Sequence, residues 1–277
     1  MSLANATRSE LTKQFSTSLW WILALVLLVY VGSTAGGLAG FFGALATGAV
    51  PAGESTGPAV PEELLPPLIY SLATAIGYIF PLLIGTLLVT NEFRHKTLTP
   101  TFLAVPRRGL ALSGKVLAGI VMGVLYGAFA LVATVGPGAG LLTAFGIDPQ
   151  LDSVDTWAML GRIVIAFALW VLIGIGVGTL VRNQVAAVVG VIAFTQFVEP
   201  ILRTVAGFVA SVGDATRFLP GAASDALVGS SFYSTLAGAN AQAAAPLEWW
   251  VGGLVLLGYA VVLLVVGGLV SWRRDVA

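Results

Sequence analysis

Cysteine is absent from all 277 residues, and histidine occurs once, as His95. The first absence excludes disulfides, thiol catalysis and cysteine metal sites, and leaves the redox compartment open. The second makes a histidine-based metal centre a poor fit. Charge is scarce as well: 9% of residues are Asp, Glu, Lys or Arg, and the formal net charge is zero. Soluble domains carry about 25% charged residues. With no basic or acidic excess, no nucleic-acid partner is expected. Paired carboxylates within the apolar runs and a His/Ser constellation are also missing, so an intramembrane enzyme lacks its usual materials.

What is present is apolar: 57% of the chain is hydrophobic. A helix needs about 20 such residues to cross the hydrocarbon layer. Six stretches qualify: Leu19 to Leu45, Leu68 to Thr90 with Pro81 at its centre, Leu110 to Val135, Trp157 to Val181, Val185 to Val212, and Trp249 to Val270. The apolar core of the first is too long for a cleaved signal peptide. The expected fold is an all-α integral membrane protein of six transmembrane helices in a single transmembrane domain, 1–277.

Positive charge orients them. With the amino terminus in the cytoplasm, Arg8, Lys13, Arg94, Lys96, Arg107, Arg108, Lys115, Arg182, Arg273 and Arg274 fall inside. Arg162, Arg203 and Arg217 fall outside or within the membrane. The positive-inside rule favours this arrangement, with both termini cytoplasmic. Tryptophan marks the interfaces: Trp20, Trp21 and Trp272 inside, Trp157, Trp249 and Trp250 outside.

Residues 1–18 read as an amphipathic lead-in helix. Leu11, Phe15 and Leu19 recur at a spacing of four, and Arg8, Glu10 and Lys13 are expected to point to water. Residues 50–67 form an irregular outer connection, and Arg182-Asn183-Gln184 a tight turn. The outer segment 211–247 contains apolar pieces, Phe218-Leu219-Pro220 and Ala222 to Val228, and can dip into the bilayer where protein shields it.

The most polar stretch is the loop 92–108, running on to Lys115. Thr99-Pro100 is a helix start, a capping hydroxyl with proline at the first helical position, and Pro106 is a stop. The short helix between offers Phe102, Leu103 and Val105 as an apolar surface for a partner's groove. The competing reading is a basic anchor on anionic lipid. Gly109 to Val116 matches most of a phosphate-binding loop, but Val116 stands where a hydroxyl should hold magnesium, and an apolar run follows at once. Any ATP hydrolysis therefore belongs to another polypeptide. Small-residue spacings at Gly36/Gly40, Gly119/Gly123/Gly127 and Gly174/Gly178 suggest close helix contacts within the bundle.

Within the fifth stretch lies Glu199, beside Pro200 and one turn from Gln196 and Arg203. Two readings stand: a polar lining or gate of a translocation path, or a structural Glu199–Arg203 pair four apart on one helix face. Arg162 could be its partner or could snorkel outward.

Taken together, Glu10-Leu-Thr-Lys13 through Trp20-Trp21, Glu92-Phe-Arg-His-Lys-Thr97 through Pro106-Arg-Arg108 to Lys115, Glu199-Pro200, Phe218-Leu219-Pro220 and Trp272-Arg-Arg-Asp275 resemble the permease subunit of ABC-2 type ABC transporters, the type V exporter class, over essentially the whole chain. The resemblance implies an amino-terminal connecting helix and a re-entrant segment between spans 5 and 6. It also implies a coupling helix docking on a separate ATPase subunit, with Glu92, Arg94, His95, Thr97, Thr99, Pro100, Phe102, Leu103, Val105, Arg107 and Arg108 as the docking residues. Two permease chains, expected as a homodimer, and two ATP-binding subunits form the working unit, with ATP and magnesium on the partner and no cofactor on this chain. Gln196, Glu199 and Arg203 would border the translocation path, lined by spans 1, 2 and 5. The expected activity is outward export of a hydrophobic or amphipathic substrate (drug, antibiotic or lipid) across a bacterial plasma membrane. The rival expectation is a membrane anchor that recruits a cytoplasmic partner through the same loop without transport.

Overall fold

The computed structural model describes residues 2–48, 60–97, 108–181, 183–206, 215–232, 235 and 247–272, with backbone only at 271–272. Ten α-helices are named here in chain order. They are α1 (Leu3–Phe15), α2 (Leu19–Ala46), α3 (Leu65–Ala75), α4 (Ile79–Arg94), α5 (Arg108–Ala144), α6 (Val154–Leu180), α7 (Gln184–Ala193), α8 (Glu199–Ala206), α9 (Pro220–Val228) and α10 (Trp249–Gly267). Six helical stretches are long and apolar enough to cross a membrane: α2, the α3–α4 run, α5, α6, the α7–α8 run, and α10 with the turn that follows it. This is the architecture of a multi-pass membrane protein.

Proline explains the irregularities. Span 2 reaches from Glu62 to Arg94, longer than the 68–90 expected, and it breaks at Ile76–Tyr78 rather than at Pro81 itself. A proline lacks the N–H that would bond the carbonyl four residues back, here Gly77, and its ring crowds that carbonyl. The chain answers with a tight turn in which Phe80 N–H donates to the Gly77 carbonyl at 3.2 Å. Span 5 shows the same cause at Pro200. Phe194–Val198 forms a π turn, and the Glu199 N–H bonds back five residues to Phe194. The Thr195 carbonyl loses its helical donor and accepts instead from the Tyr78 hydroxyl of span 2, at 2.9 Å. The described part of this helix runs to Ala206, and the remainder of the expected stretch, to Val212, lies outside the described residues.

Span 3 differs most from expectation. Its helix covers 37 residues, with Pro137 inside it, and continues nine residues past Val135 to Ala144. At about 1.5 Å per residue that is roughly 55 Å, against a hydrocarbon layer of about 30 Å. It serves as the mast of the bundle: α1, span 1 and span 2 all pack on it. Span 2 is the most enclosed helix, followed by span 4, whereas spans 1, 5 and 6 are the least covered. The glycine spacings meet helices of the same chain. Gly119, Gly123 and Gly127 face span 4, Gly174 and Gly178 face span 2, and Gly36 and Gly40 face span 3.

Contacts separate two ends. At one, α1, residues 92–97, the start of α5 and Gln184 touch one another. At the other, Gln150 reaches the Glu63 carbonyl, Tyr70 the Pro149 carbonyl and Ser230 the Pro67 carbonyl. Six alternating spans require this division. The first end is called the basic end below.

Candidate functional site

Two clusters of charge sit on this frame. The first is at the basic end, where Lys115 on the second turn of α5 is fully buried. Its Nζ donates to Glu10 Oε2 at 2.6 Å and lies 3.0 Å from Glu92 Oε1, while Lys13 Nζ reaches Glu10 Oε1 at 2.7 Å and Glu92 Oε1 at 2.9 Å. Two ammonium groups and two carboxylates thus interlock across α1, α4 and α5. Burial alone would raise the Glu10 carboxyl, but Lys115 and Lys13 outweigh it and hold Glu10 below the ordinary glutamate range. Burial would likewise lower Lys13, yet Glu10 and Glu92 raise it above the usual lysine value.

The face that α1 turns inward corrects one part of the amphipathic reading, the placement of Glu10. Ala6, Glu10 and Gln14 are its buried residues, whereas Leu3 and Phe15 are exposed. Arg8 is exposed as expected, but Glu10 does not point to water. In a bilayer protein the interior is where a charge finds partners and the outside is where an apolar side chain finds its solvent. Close approach is possible because α5 presents Gly114 to α1, where a methyl group would lie 3.1 Å from the Ala6 side chain. The turn into span 1 is fixed by Phe15 against Trp20, an edge-to-face pair at 5.1 Å, and by the Tyr126 hydroxyl on the Trp20 carbonyl at 2.6 Å.

This cluster lies at the root of the basic loop. Glu92 is buried within it, while Arg94, His95, Lys96 and Thr97 are exposed. Span 2 closes with a Schellman turn: Thr97 N–H bonds the Glu92 carbonyl, Lys96 N–H bonds that of Phe93, and Lys96 takes a left-handed φ of 53°. Arg94 donates to Gln184, which donates to Asn91, tying the loop root to the turn between spans 4 and 5. Arg108 opens α5. Thr99, Pro100, Phe102, Leu103, Val105 and Arg107, with the short helix expected around them, lie outside the described residues. The stretch from Gly109 to Val116 is helical throughout and Lys115 is held by two carboxylates, so no phosphate cradle forms there.

The second cluster is built on span 5 and α9. Glu199, 1% exposed, accepts hydrogen bonds at Oε1 from Gly221 N–H at 2.5 Å and Ala222 N–H at 3.2 Å, the free donors of the α9 amino terminus. Gly221 admits the carboxylate; a side chain there would collide with it. Arg203 is paired with Asp225 in the middle of α9, and Ser231 donates to the same Asp225 oxygen at 2.7 Å. Arg162 packs at the far end of α9, against Gly229 and over the Trp249 ring, where a cation suits the helix dipole. Trp170 donates to Ser224 at 3.1 Å, which sets α9 beside the middle of span 4. Glu199 and Arg203 therefore both bind one buried element, α9, and Gln196 alone of the three predicted path residues is exposed. Sequence reading placed Lys115 at the end of the basic loop without foreseeing its burial, and missed Asp225 and Ser224. A lysine two turns inside an apolar run and an aspartate among small residues were the available signals.

No protein-family model matches this chain, and no curated protein matches it.

Proposed function

We propose that this chain is the membrane subunit of an ATP-driven exporter of the ABC-2 type, working as a homodimer with two copies of a separate ATP-binding subunit. The observation that carries the reading is the four-charge clamp at the basic end. Glu92 precedes the loop and Lys115 follows it, and both are locked to α1 through Glu10 and Lys13. A push on the loop is thereby delivered to α1, span 2 and span 3 as one body, which is what coupling to a soluble motor requires. In this reading α1 is the connecting helix, residues 92–108 carry the coupling helix, and α9 is the re-entrant element on the outer side. Both termini lie in the cytoplasm of a bacterial cell, in agreement with the positive-inside distribution.

Further support comes from the uncovered faces. Span 1 exposes Tyr30 and Ser33 and span 5 exposes Gln196 and Thr204. Polar side chains at membrane depth usually face protein or an aqueous path. A second copy across spans 1 and 5, with a substrate cavity between the copies, covers these faces. The scarcity of membrane charge favours a hydrophobic or amphipathic substrate. ATP and magnesium belong to the partner, which ATP-driven closure moves against the loop.

The test is mild-detergent purification of the tagged chain from its native membrane, with copurifying proteins identified and ATPase activity assayed. The expected result is a stoichiometric soluble partner with a phosphate-binding loop, lost when Phe102, Leu103 and Val105 are replaced by polar residues. A chain that purifies alone without ATPase activity would remove the exporter reading and leave a membrane anchor.

A further inference from the structure

The Glu199 carboxyl is unevenly served. Oε1 accepts from two backbone N–H groups of α9, while Oε2 is buried and accepts no hydrogen bond among the described residues. Among the described residues, the charged side chains that act on it are Arg203, on its own helix, and Asp225, on α9. Arg217, just before α9, lies over the Phe218 ring. Arg203 is already neutralised by Asp225, whose carboxylate also receives Ser231. The other polar groups packed nearby are occupied: Tyr78 of span 2 donates to the Thr195 carbonyl, and Trp170 of span 4 donates to Ser224. Arg162 stands at the opposite end of α9, beside Gly229. An ionised Glu199 would therefore leave one net negative charge in an apolar layer, with a bare oxygen bearing part of it. Isolated buried charges of this kind neutralise instead.

We propose that Glu199 is a proton-binding site, holding a proton on Oε2 while α9 is docked, so that the buried Glu199–Asp225–Arg203 group carries no net charge. A metal cation is a poor alternative occupant. Hard cations gather about six or more oxygens, whereas here one carboxylate oxygen faces helix N–H donors and Asp225 is already taken by Arg203 and Ser231. Losing the proton places a negative charge in the seat of α9, which links docking of this helix to pH. The inference rests on the membrane-embedded geometry alone and is independent of the transport reading.

Infrared difference spectroscopy of the full chain in lipid nanodiscs, titrated from about pH 5 to about pH 9, tests it. The wild type should lose a protonated-carboxyl band on alkalinisation, and Glu199→Gln should lack that change while Glu248→Gln keeps it. Asp225→Asn removes a like charge and leaves Arg203 facing Glu199, so the midpoint of the same band should fall by about one pH unit. Identical difference spectra for wild type and Glu199→Gln would overturn the proposal and make Glu199 a permanently ionised helix cap. Stabilisation of wild type but not Glu199→Gln by sodium at fixed pH, without the band, would replace the proton with a cation and equally overturn it. Should Glu199→Gln fail to fold, an unmoved midpoint in Asp225→Asn would decide against the assignment.

Discussion

The two charge clusters are built by opposite rules. At the basic end two lysines meet two carboxylates, and each buried charge has an opposite within 3.0 Å. In the α9 cluster two carboxylates stand against one arginine: Arg203 pairs with Asp225, and backbone N–H groups serve Glu199. The balanced cluster joins three helices rigidly. The unbalanced one leaves a carboxyl whose state can change. A membrane protein can thus use ionisable residues either as a fixed joint or as a switch, and the local count of charges decides which.

The largest expected effect breaks the balance at the basic end. Lys115→Met leaves Glu10 and Glu92 buried with Lys13 alone, and loss of one member of a buried ion network costs about 3–5 kcal/mol. Denaturation in detergent should show a loss of that order. Lys13→Ala, at the partly exposed edge of the cluster, should cost about 1 kcal/mol or less. Equal losses from the two variants would contradict a clamp centred on Lys115.

Next comes the α9 seat. Gly221→Ala puts a methyl group against the Glu199 carboxylate, and overpacking of this kind costs about 1–3 kcal/mol. Protease nicking between residues 215 and 232 should rise with it. A silent Gly221→Ala would show that α9 is not held by Glu199. Tyr78→Phe, which orphans the Thr195 carbonyl released by the π turn, should cost about 1–2 kcal/mol. In Pro200→Ala, where an ordinary helix can re-form, the same change should cost less.

Acid separates the two clusters in another way. The Glu10 carboxyl sits below its ordinary value of 4.5, so its contribution is present at neutral pH and is lost as pH falls through that lowered value. Lys13 sits above its ordinary 10.5, so its contribution persists at neutral pH and fails only above that range. The clamp should hold across the whole neutral window. Because the chain has no native cysteine, a single Ala6→Cys reports this directly, through labelling with a dipyridyl disulfide, whose protonated form still reacts with thiols in acid. That labelling stays slow at neutral pH and accelerates once α1 is released in strong acid. Labelling that is fast at pH 7 would mean α1 is not seated. The smallest effect concerns the loop root: Lys96→Gly relieves a left-handed residue and should stabilise by about 1 kcal/mol.

The spans were legible because hydropathy is local, and a run such as Trp249 to Val270 announces itself without knowledge of its neighbours. Proline effects were half legible. Pro81 and Pro200 stand out, but the break at Ile76–Tyr78 and the π turn at Phe194–Val198 arise one turn upstream, where the carbonyls lose their donor. The third stretch was expected to end at Val135, yet α5 continues through Pro137 to Ala144. The facing of α1 was illegible by the rule applied to it. Leu11 and Phe15 were grouped on one apolar face and Glu10 was given to water, while the stripe that packs on the bundle is Ala6, Glu10 and Gln14. Asp225 could not be connected with Arg203, since pairing across 22 residues depends on how α9 folds back.

The central claim is that the basic loop is where a soluble ATPase grips this chain. A single cysteine at His95, exposed beside the clamp in an otherwise cysteine-free chain, allows cross-linking in native membrane vesicles. The account predicts one dominant adduct, with a soluble ATP-binding protein, whose yield changes when ATP and magnesium are added. Adducts formed only with lipid, or with a protein that binds no nucleotide, would contradict it.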